Sequence, residues 1–188
     1  MKPVIIELMK PQIESLQTQI VTIYRDAFVL PPYNKSETEI TSFAHSFLSQ
    51  IDRRAYKFVG AFAENNSEQL IGFSYGYSSV AGKWWLEHVR PALPKPIDSE
   101  WPDDNFQLTE IAVSPEAQGQ GVGGCLHDYL LSDLPYERAI LATMDADTAA
   151  YRLYKSRGWL LLLNNFLFPD VDRRYQILGR YLNDDKTG

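Results

Sequence analysis

The sequence predicts a single mixed α/β (α+β) domain over residues 1–188, a sheet with helices on both faces. Its length suits one domain, because a chain of this size can bury most of the surface it exposes when unfolded. Its composition of 45% hydrophobic and 22% charged residues is that of a globular protein. Its patterns run strand, two helices, an antiparallel strand set, then strand-helix-strand-helix-strand-strand. Such a mixed order fits helices packed on a sheet.

Val4-Ile5-Ile6-Glu7-Leu8 reads as the first strand. From Pro11, apolar residues Ile13, Leu16, Ile20, Ile23, Tyr24 and Ala27 recur at spacings of three and four, which predicts one helix ending near Leu30-Pro31-Pro32. Ser36, with Glu39 three residues on, has the spacing of a capping box for a second helix striped by Ile40, Phe43, Ala44, Phe47 and Leu48. Residues 56–64 and 70–79 are strand-like and flank the polar turn Asn65-Asn66-Ser67-Glu68, the pattern of a hairpin. Residues 80–104, with Trp84, Trp85, Trp101 and four prolines, predict a long excursion with one short helix over Trp84–Val89. A strand over Phe106–Val113 leads into a glycine-rich stretch and a helix whose apolar face is Val122, Leu126, Tyr129 and Leu130. A strand over Arg138–Met144, a helix over Asp147–Arg157 and strands over Trp159–Leu163 and Tyr175–Leu182 complete the order.

The charge balance, 18 basic against 24 acidic residues, argues against nucleic acid as a partner, since phosphate-backbone binding wants clustered Lys and Arg. Cys125 stands alone, so no internal disulfide is expected. The first residues lack the apolar run of a secretory signal, and no stretch reaches the length of a membrane span. A cytoplasmic protein with no membrane partner is the expectation. His45, His88 and His127 have no partner at ligand spacing, so no metal is expected.

Residues 114–124, Ser-Pro-Glu-Ala-Gln-Gly-Gln-Gly-Val-Gly-Gly, hold four glycines and no Lys or Arg. A strand that ends in such a turn and opens a helix aims unpaired backbone N–H groups at the positive end of the helix dipole, an anion site that needs no side-chain cation. Gly119-x-Gly121-x-x-Gly124 also fits a dinucleotide fingerprint, with Asp145 as the ribose-binding acid, so a nicotinamide-dependent oxidoreductase is one alternative. Against it, five residues separate the strand from the first glycine, and Asp145 lies 26 residues beyond Gly119.

The other pattern is Gln118-x-x-Gly121-x-Gly123, preceded by Leu108-Thr109-Glu110-Ile111-Ala112-Val113-Ser114-Pro115 and followed by Ala150-Tyr151-Arg152-Leu153-Tyr154-Lys155-Ser156-Arg157-Gly158-Trp159. In these motifs and their order the chain resembles the GNAT superfamily of acetyl-CoA-dependent N-acetyltransferases, most sharply over residues 106–160. Gln118 stands where Arg is commoner, and Asp147 where the family often has Asn.

The resemblance implies a mostly antiparallel central sheet with a splayed parallel pair, Phe106–Val113 and Arg138–Met144, and acetyl-CoA as acyl donor with no metal. It implies a CoA site made by Ile111, Ala112, Val113, Gln118, Gly119, Gln120, Gly121, Val122, Gly123, Gly124, Asp147 and Tyr154. Backbone N–H groups of Ile111 and Val113 would pair with pantetheine. Tyr154 would protonate the departing sulfur. Glu110, a carboxylate in an otherwise apolar strand, would be the general base, through water. Cys125 reads instead as a small apolar residue beside Val122 and Leu126.

Asp98, Glu100, Asp103, Asp104 and Glu110, with no Lys or Arg among residues 98–110, sit near Trp84, Trp85 and Trp101 in the sequence and suggest a small cationic amine as acceptor. Tyr33 stands where the family often places an acceptor loop. The activity expected is direct acetyl transfer to a primary amine, without a covalent intermediate. A CoA-binding sensor or interaction domain without turnover is the alternative of another class, and a homodimer is left open.

Overall fold

The computed structural model describes residues 2–79, 84–95, 97, 101, 104–169 and 171–182. Asp98, Glu100 and Asp103 lie outside them. The strands follow the hydrogen-bonded order β1-β2-β3-β4-β5-β7-β6. They comprise β1 (Val4–Glu7), β2 (Lys57–Ala63), β3 (Asn66–Ser79), β4 (Asn105–Val113), β5 (Arg138–Met144), β6 (Leu160–Leu167) and β7 (Arg174–Tyr181). The chain packs as two compact units, residues 1–77 with 110–132, and 78–109 with 133–188. Strand β4 passes from the second to the first.

In the first unit, β1 pairs antiparallel with β2, and β2 with β3. The hairpin turn is tighter than the polar run predicts: Ala63 pairs with Asn66, and a register shift on either side of Phe62 absorbs the offset. Alternation along β3 sends Phe73, Tyr75 and Tyr77 to one face and Gly72 and Ser74 to the other. Helices α2 (Gln17–Phe28) and α3 (Glu37–Ser46) bring Ile20, Tyr24, Phe28, Ile40 and Phe43 into one buried cluster with Phe58, Phe73, Tyr75 and Tyr77. Helix α5 (Val122–Leu131) covers the opposite face, where Ser74 Oγ donates to the Leu126 carbonyl at 3.2 Å. Helices therefore do pack on both faces.

Two local features differ from the sequence pattern. The predicted helix from Pro11 is two helices, α1 (Lys10–Ser15) and α2, because Leu16 leaves helical geometry at φ −94° and ψ 5°. The apolar period survives the break, which is why periodicity alone does not reveal it. On α5 the buried residues are Val122, Gly124, Leu126, His127, Leu130 and Leu131, an arc centred nearer His127 than Val122. Tyr129 and Cys125 consequently turn to solvent, and the expectation that Cys125 is a buried apolar residue is corrected. The capping box of α3 forms as predicted, with the Ser36 N–H donating to Glu39 Oε2 at 2.8 Å and the Glu39 N–H to Ser36 Oγ at 3.3 Å.

In the second unit, β5 pairs antiparallel with β7 along its length, and β7 with β6. The parallel ladder of β4 with β5 comprises Phe106↔Ala139 and Gln107↔Ile140. Helix α4 (Trp84–Val89) forms where the excursion predicts it, and α6 (Ala149–Ser156) follows β5. Val89, Leu93, Trp101, Ile140, Leu162, Phe168 and Ile177 make the core of this unit. No helix among the described residues is long and apolar enough to cross a membrane.

Trp101 is packed on Gly179 so closely that a Cβ there would stand 2.5 Å from its Cζ3 and 2.8 Å from Leu162 Cδ1. A buried indole cannot swing away as a flexible chain end can, so Gly179→Ala is expected to destabilise the fold by about 1–3 kcal/mol. Urea denaturation should show a lower midpoint with an unchanged slope. An unchanged midpoint would show that the Trp101 contact is loose.

Candidate active site

Strand β4 ends by donating the Ser114 N–H to the Ile71 carbonyl of β3 at 2.9 Å. Successive N–H groups of a strand point to opposite sides, so those of Val113 and Ile111 point away from β3. A short 3₁₀ turn, Pro115–Ala117, follows. Gly119 (φ +72°) and Gly121 (φ +82°) then take left-handed backbone, which L side chains rarely adopt. Gly121 is the N-cap of α5, no side chain caps the helix, and no acid lies in its first turn. The space a Cβ would occupy at Gly119 and Gly121 is empty to 4 Å. Open backbone amides at a helix N-terminus without a competing carboxylate suit the pyrophosphate of a nucleotide cofactor.

Gln118 does not face that space with a free side chain, since its Nε2 donates to the Val113 carbonyl at 3.0 Å. Gln120 is likewise engaged, with Nε2 donating to the Glu116 carbonyl at 2.7 Å. Both amides brace the turn, and no side chain caps the backbone amides of the first turn of α5.

Glu110 opens the part of β4 that belongs to the first unit. By alternation with Ala112 it lies on the face that carries the aromatic cluster. Its carboxylate is partly buried and makes no hydrogen bond among the described residues. Burial raises its pKa above the ordinary glutamate value, and the positive charge of Lys35 opposes that rise. Tyr75, fully packed, has its phenol pushed up by burial first and by the Glu110 charge second. Tyr56 is pushed up by burial and then by Tyr77. A carboxylate whose pKa is raised by burial is a stronger base than an exposed glutamate.

In the second unit, Thr148 caps α6 by accepting the Tyr151 N–H at 3.0 Å. The helix ends at Gly158 (φ +74°), after which the Trp159 N–H donates to the Tyr154 carbonyl at 3.2 Å. Tyr154 is buried, with its ring edge-on to Trp159 at 5.7 Å. Asp147 is exposed, and its Oδ2 pairs with Arg152 Nη1 at 3.0 Å.

The residues expected to contact an acceptor are spread out. Tyr33 packs edge-on to Phe28 at 4.9 Å, beside the aromatic cluster of the first unit. Trp84 is exposed and stacks on Phe168 at 5.5 Å, while Trp85 packs against the core of the second unit. Trp101 is 3% exposed, and its packing on Gly179 gives it a structural role. Residues that the sequence reading passed over lead away from Glu110: Lys35 and Tyr75 interact with its charge, Tyr24, Tyr56 and Tyr77 act on Tyr75, and Arg53 lies over the Tyr77 ring. The period-two run Phe73-x-Tyr75-x-Tyr77 was the available signal. Among the described residues no cluster of His, Cys, Asp or Glu could hold a metal ion.

A partly antiparallel sheet with one short parallel ladder, an uncapped glycine turn after β4 and a tyrosine closing the following βα unit define an acyl-CoA transferase class. Residues 18–159 match the acetyltransferase (GNAT) family model, and the chain belongs to that family. It is 28% identical, over 95% of its length and 97% of the relative's, to a GCN5-like protein acetyltransferase of Mycobacterium tuberculosis. Its fold is similar to that of an aminoglycoside 6'-acetyltransferase type Ii (TM-score 0.65, 14% identity, 95% of this chain and 97% of that one). It is also similar to PaiA N-acetyltransferase of Thermoplasma acidophilum in complex with coenzyme A (TM-score 0.61, 17% identity, 96% and 99%). The chain is thus an acetyl-CoA-dependent N-acetyltransferase. The nicotinamide alternative is overturned: the family is GNAT, and Asp145 is engaged by Gln176 Nε2 at 2.7 Å and by the Asn165 N–H at 3.1 Å.

Burial of Glu110 has a consequence for stability. A carboxyl whose native pKa is raised contributes fully below the unfolded value of about 4.3, and that contribution is lost as pH rises through the native pKa. Glu110→Gln is therefore expected to melt higher than the wild type at pH 8, with the difference shrinking toward pH 4. Thermal melts across this range check it, and a variant less stable than wild type at pH 8 would contradict burial as the dominant cause. For the turn, Gly121→Ala is expected to weaken CoA binding roughly tenfold by forcing a side chain into left-handed backbone. Calorimetric titration with CoA reads this, and unchanged affinity would remove Gly121 from the site.

Proposed function

We propose that residues 1–188 form one cytoplasmic acetyltransferase domain that moves an acetyl group from acetyl-CoA to the primary amine of a small molecule, which arrives as an ammonium cation. Acetyl-CoA supplies the activated acyl group and a sulfur leaving group. Glu110 removes the proton from the arriving ammonium through water, so that the neutral amine attacks directly. Tyr154 holds a proton on Oη for the departing sulfur. Ile111 and Val113 offer backbone N–H groups to pantetheine, the turn Gln118–Gly124 binds the pyrophosphate through its amides, and Asp147 with Ala112 lines the cofactor's path. Tyr33, Trp84 and Trp85 are candidates to meet an acceptor.

The observation that carries this reading is Glu110, a partly buried carboxylate without a hydrogen-bond partner and with a raised pKa. A buried carboxylate without a bonding partner is destabilising, and such groups concentrate where chemistry needs them. Intact Glu110 and Tyr154 favour turnover over a CoA-binding sensor.

Thiol release from acetyl-CoA, followed across aminoglycosides, polyamines, amino acids and peptides, tests the reading. Tyr154→Phe is expected to lower kcat about 100-fold with little change in the KM for acetyl-CoA. Glu110→Gln is expected to abolish the rise of kcat/KM with pH. CoA binding with no thiol release for any amine would leave the sensor, and full turnover in Tyr154→Phe would remove the proposed acid.

A further inference from the structure

Resting on Glu110 as the base in the reading above, we propose that the acceptor is a zwitterion, with its amine directed to Glu110 and its carboxylate, or another single anionic group, taken by Arg53 and Tyr56.

Two independent observations point there. The guanidinium carbon of Arg53 stands 4.4 Å from the centroid of the Tyr77 ring, and Arg53 makes no ion pair among the described residues. Tyr56 Oη is buried without a hydrogen-bond partner. The two residues share one turn, in which the Tyr56 N–H donates to the Arg53 carbonyl at 3.2 Å. A guanidinium held near an aromatic ring without an ion-pair partner still has N–H donors for a carboxylate, and an orphaned phenol is a donor that wants an acceptor. Together they make an anion-binding pair at the edge of the aromatic face.

The same face orders the rest. Tyr56 lies 5.8 Å from Tyr75, ring to ring, and the Tyr75 phenol feels the charge of Glu110. Tyr75 and Tyr77 are same-face neighbours on β3, about 7 Å apart along a strand. With Glu110 acting on Tyr75 and Arg53 lying over Tyr77, two neighbouring rings of one face lead from the base to the cation. Lys35 is placed differently: its Nζ donates to Tyr24 Oη and lies 4.4 Å from the Tyr24 ring centroid, and its charge acts on Glu110. It balances the base. Arg53 makes no ion pair among the described residues, and a polycation would set its own charges against it.

Thiol release from acetyl-CoA is measured with α-amino acids, with the amines left by their decarboxylation, and with a lysine peptide blocked at both ends. The kcat/KM for the amino acid is expected to exceed that for its decarboxylated partner by at least about tenfold. Arg53→Gln, an exposed position that folding tolerates, should bring the ratio near one by raising KM with kcat little changed, and Tyr56→Phe should lower it in part. A ratio that survives in Arg53→Gln, or equal use of the decarboxylated amine or the blocked peptide, overturns the zwitterion and leaves acetyl transfer standing. No thiol release with any amine overturns both.

Discussion

Holding a carboxylate against an aromatic face is the constraint on which the proposed chemistry of this protein depends. Glu110 could be kept ionised cheaply by an arginine or by several backbone N–H groups, and either would lower its pKa and spoil it as a base near neutral pH. The first unit sets it instead on the sheet face that carries phenols and phenyl rings. Tyr24 stacks on Phe43 at 3.6 Å and Phe58 on Tyr75 at 5.8 Å, so the rings near the carboxylate are themselves fixed by packing. Lys35 then sets the limit: its charge opposes the rise that burial causes, without a direct ion pair. The long aromatic run of β2 and β3 therefore serves the fold and, in the proposed mechanism, the base together.

Much of this was legible in the sequence, and the reasons differ by element. The capping box at Ser36 and Glu39 and the strand-turn-helix from Phe106 to Leu131 rest on local rules, in which a side chain or a glycine satisfies a nearby backbone need. Such features survive translation into three dimensions. Glu110 stood out because a carboxylate in an apolar strand has to be explained. The break at Leu16 did not show, because residues on both sides keep one apolar face. Cys125 was misread because the buried arc of α5 is set by what packs on it, Gly72 and Ser74 of β3, rather than by its own apolar residues. Arg53 and Tyr56 were invisible for a related reason: only the hairpin brings residue 53 over residue 77.

The tryptophans teach the opposite lesson. Three of them near an acidic run suggested a cation-binding surface, since indoles and carboxylates together attract amines. Trp101 instead fills the second unit against a glycine and Leu162. A large aromatic ring lowers free energy most by being buried, and that term, about 25 cal/mol per Å² of apolar surface, outweighs a cation–π contact at an exposed site. Composition near a loop is thus a weak guide to what the loop presents.

A chain of net charge −6 must still accept a cofactor rich in phosphate. Charges more than about 8 Å apart are largely screened at physiological ionic strength, so the net charge matters less than what lies within one helical turn of the anion. There the sequence is selective: the first turn of α5 holds no acid, Gly121 caps it without a side chain, and the side-chain N–H groups of Gln118 and Gln120 brace the turn on backbone carbonyls. Each such detail is worth a fraction of a kcal/mol to about 1 kcal/mol. Together they make a locally positive turn in an acidic protein, and they do so without an arginine, whose long side chain would carry its charge beyond the turn. The same economy recurs at Glu110, where the field is set by Lys35 and by what has been excluded rather than by a dedicated partner.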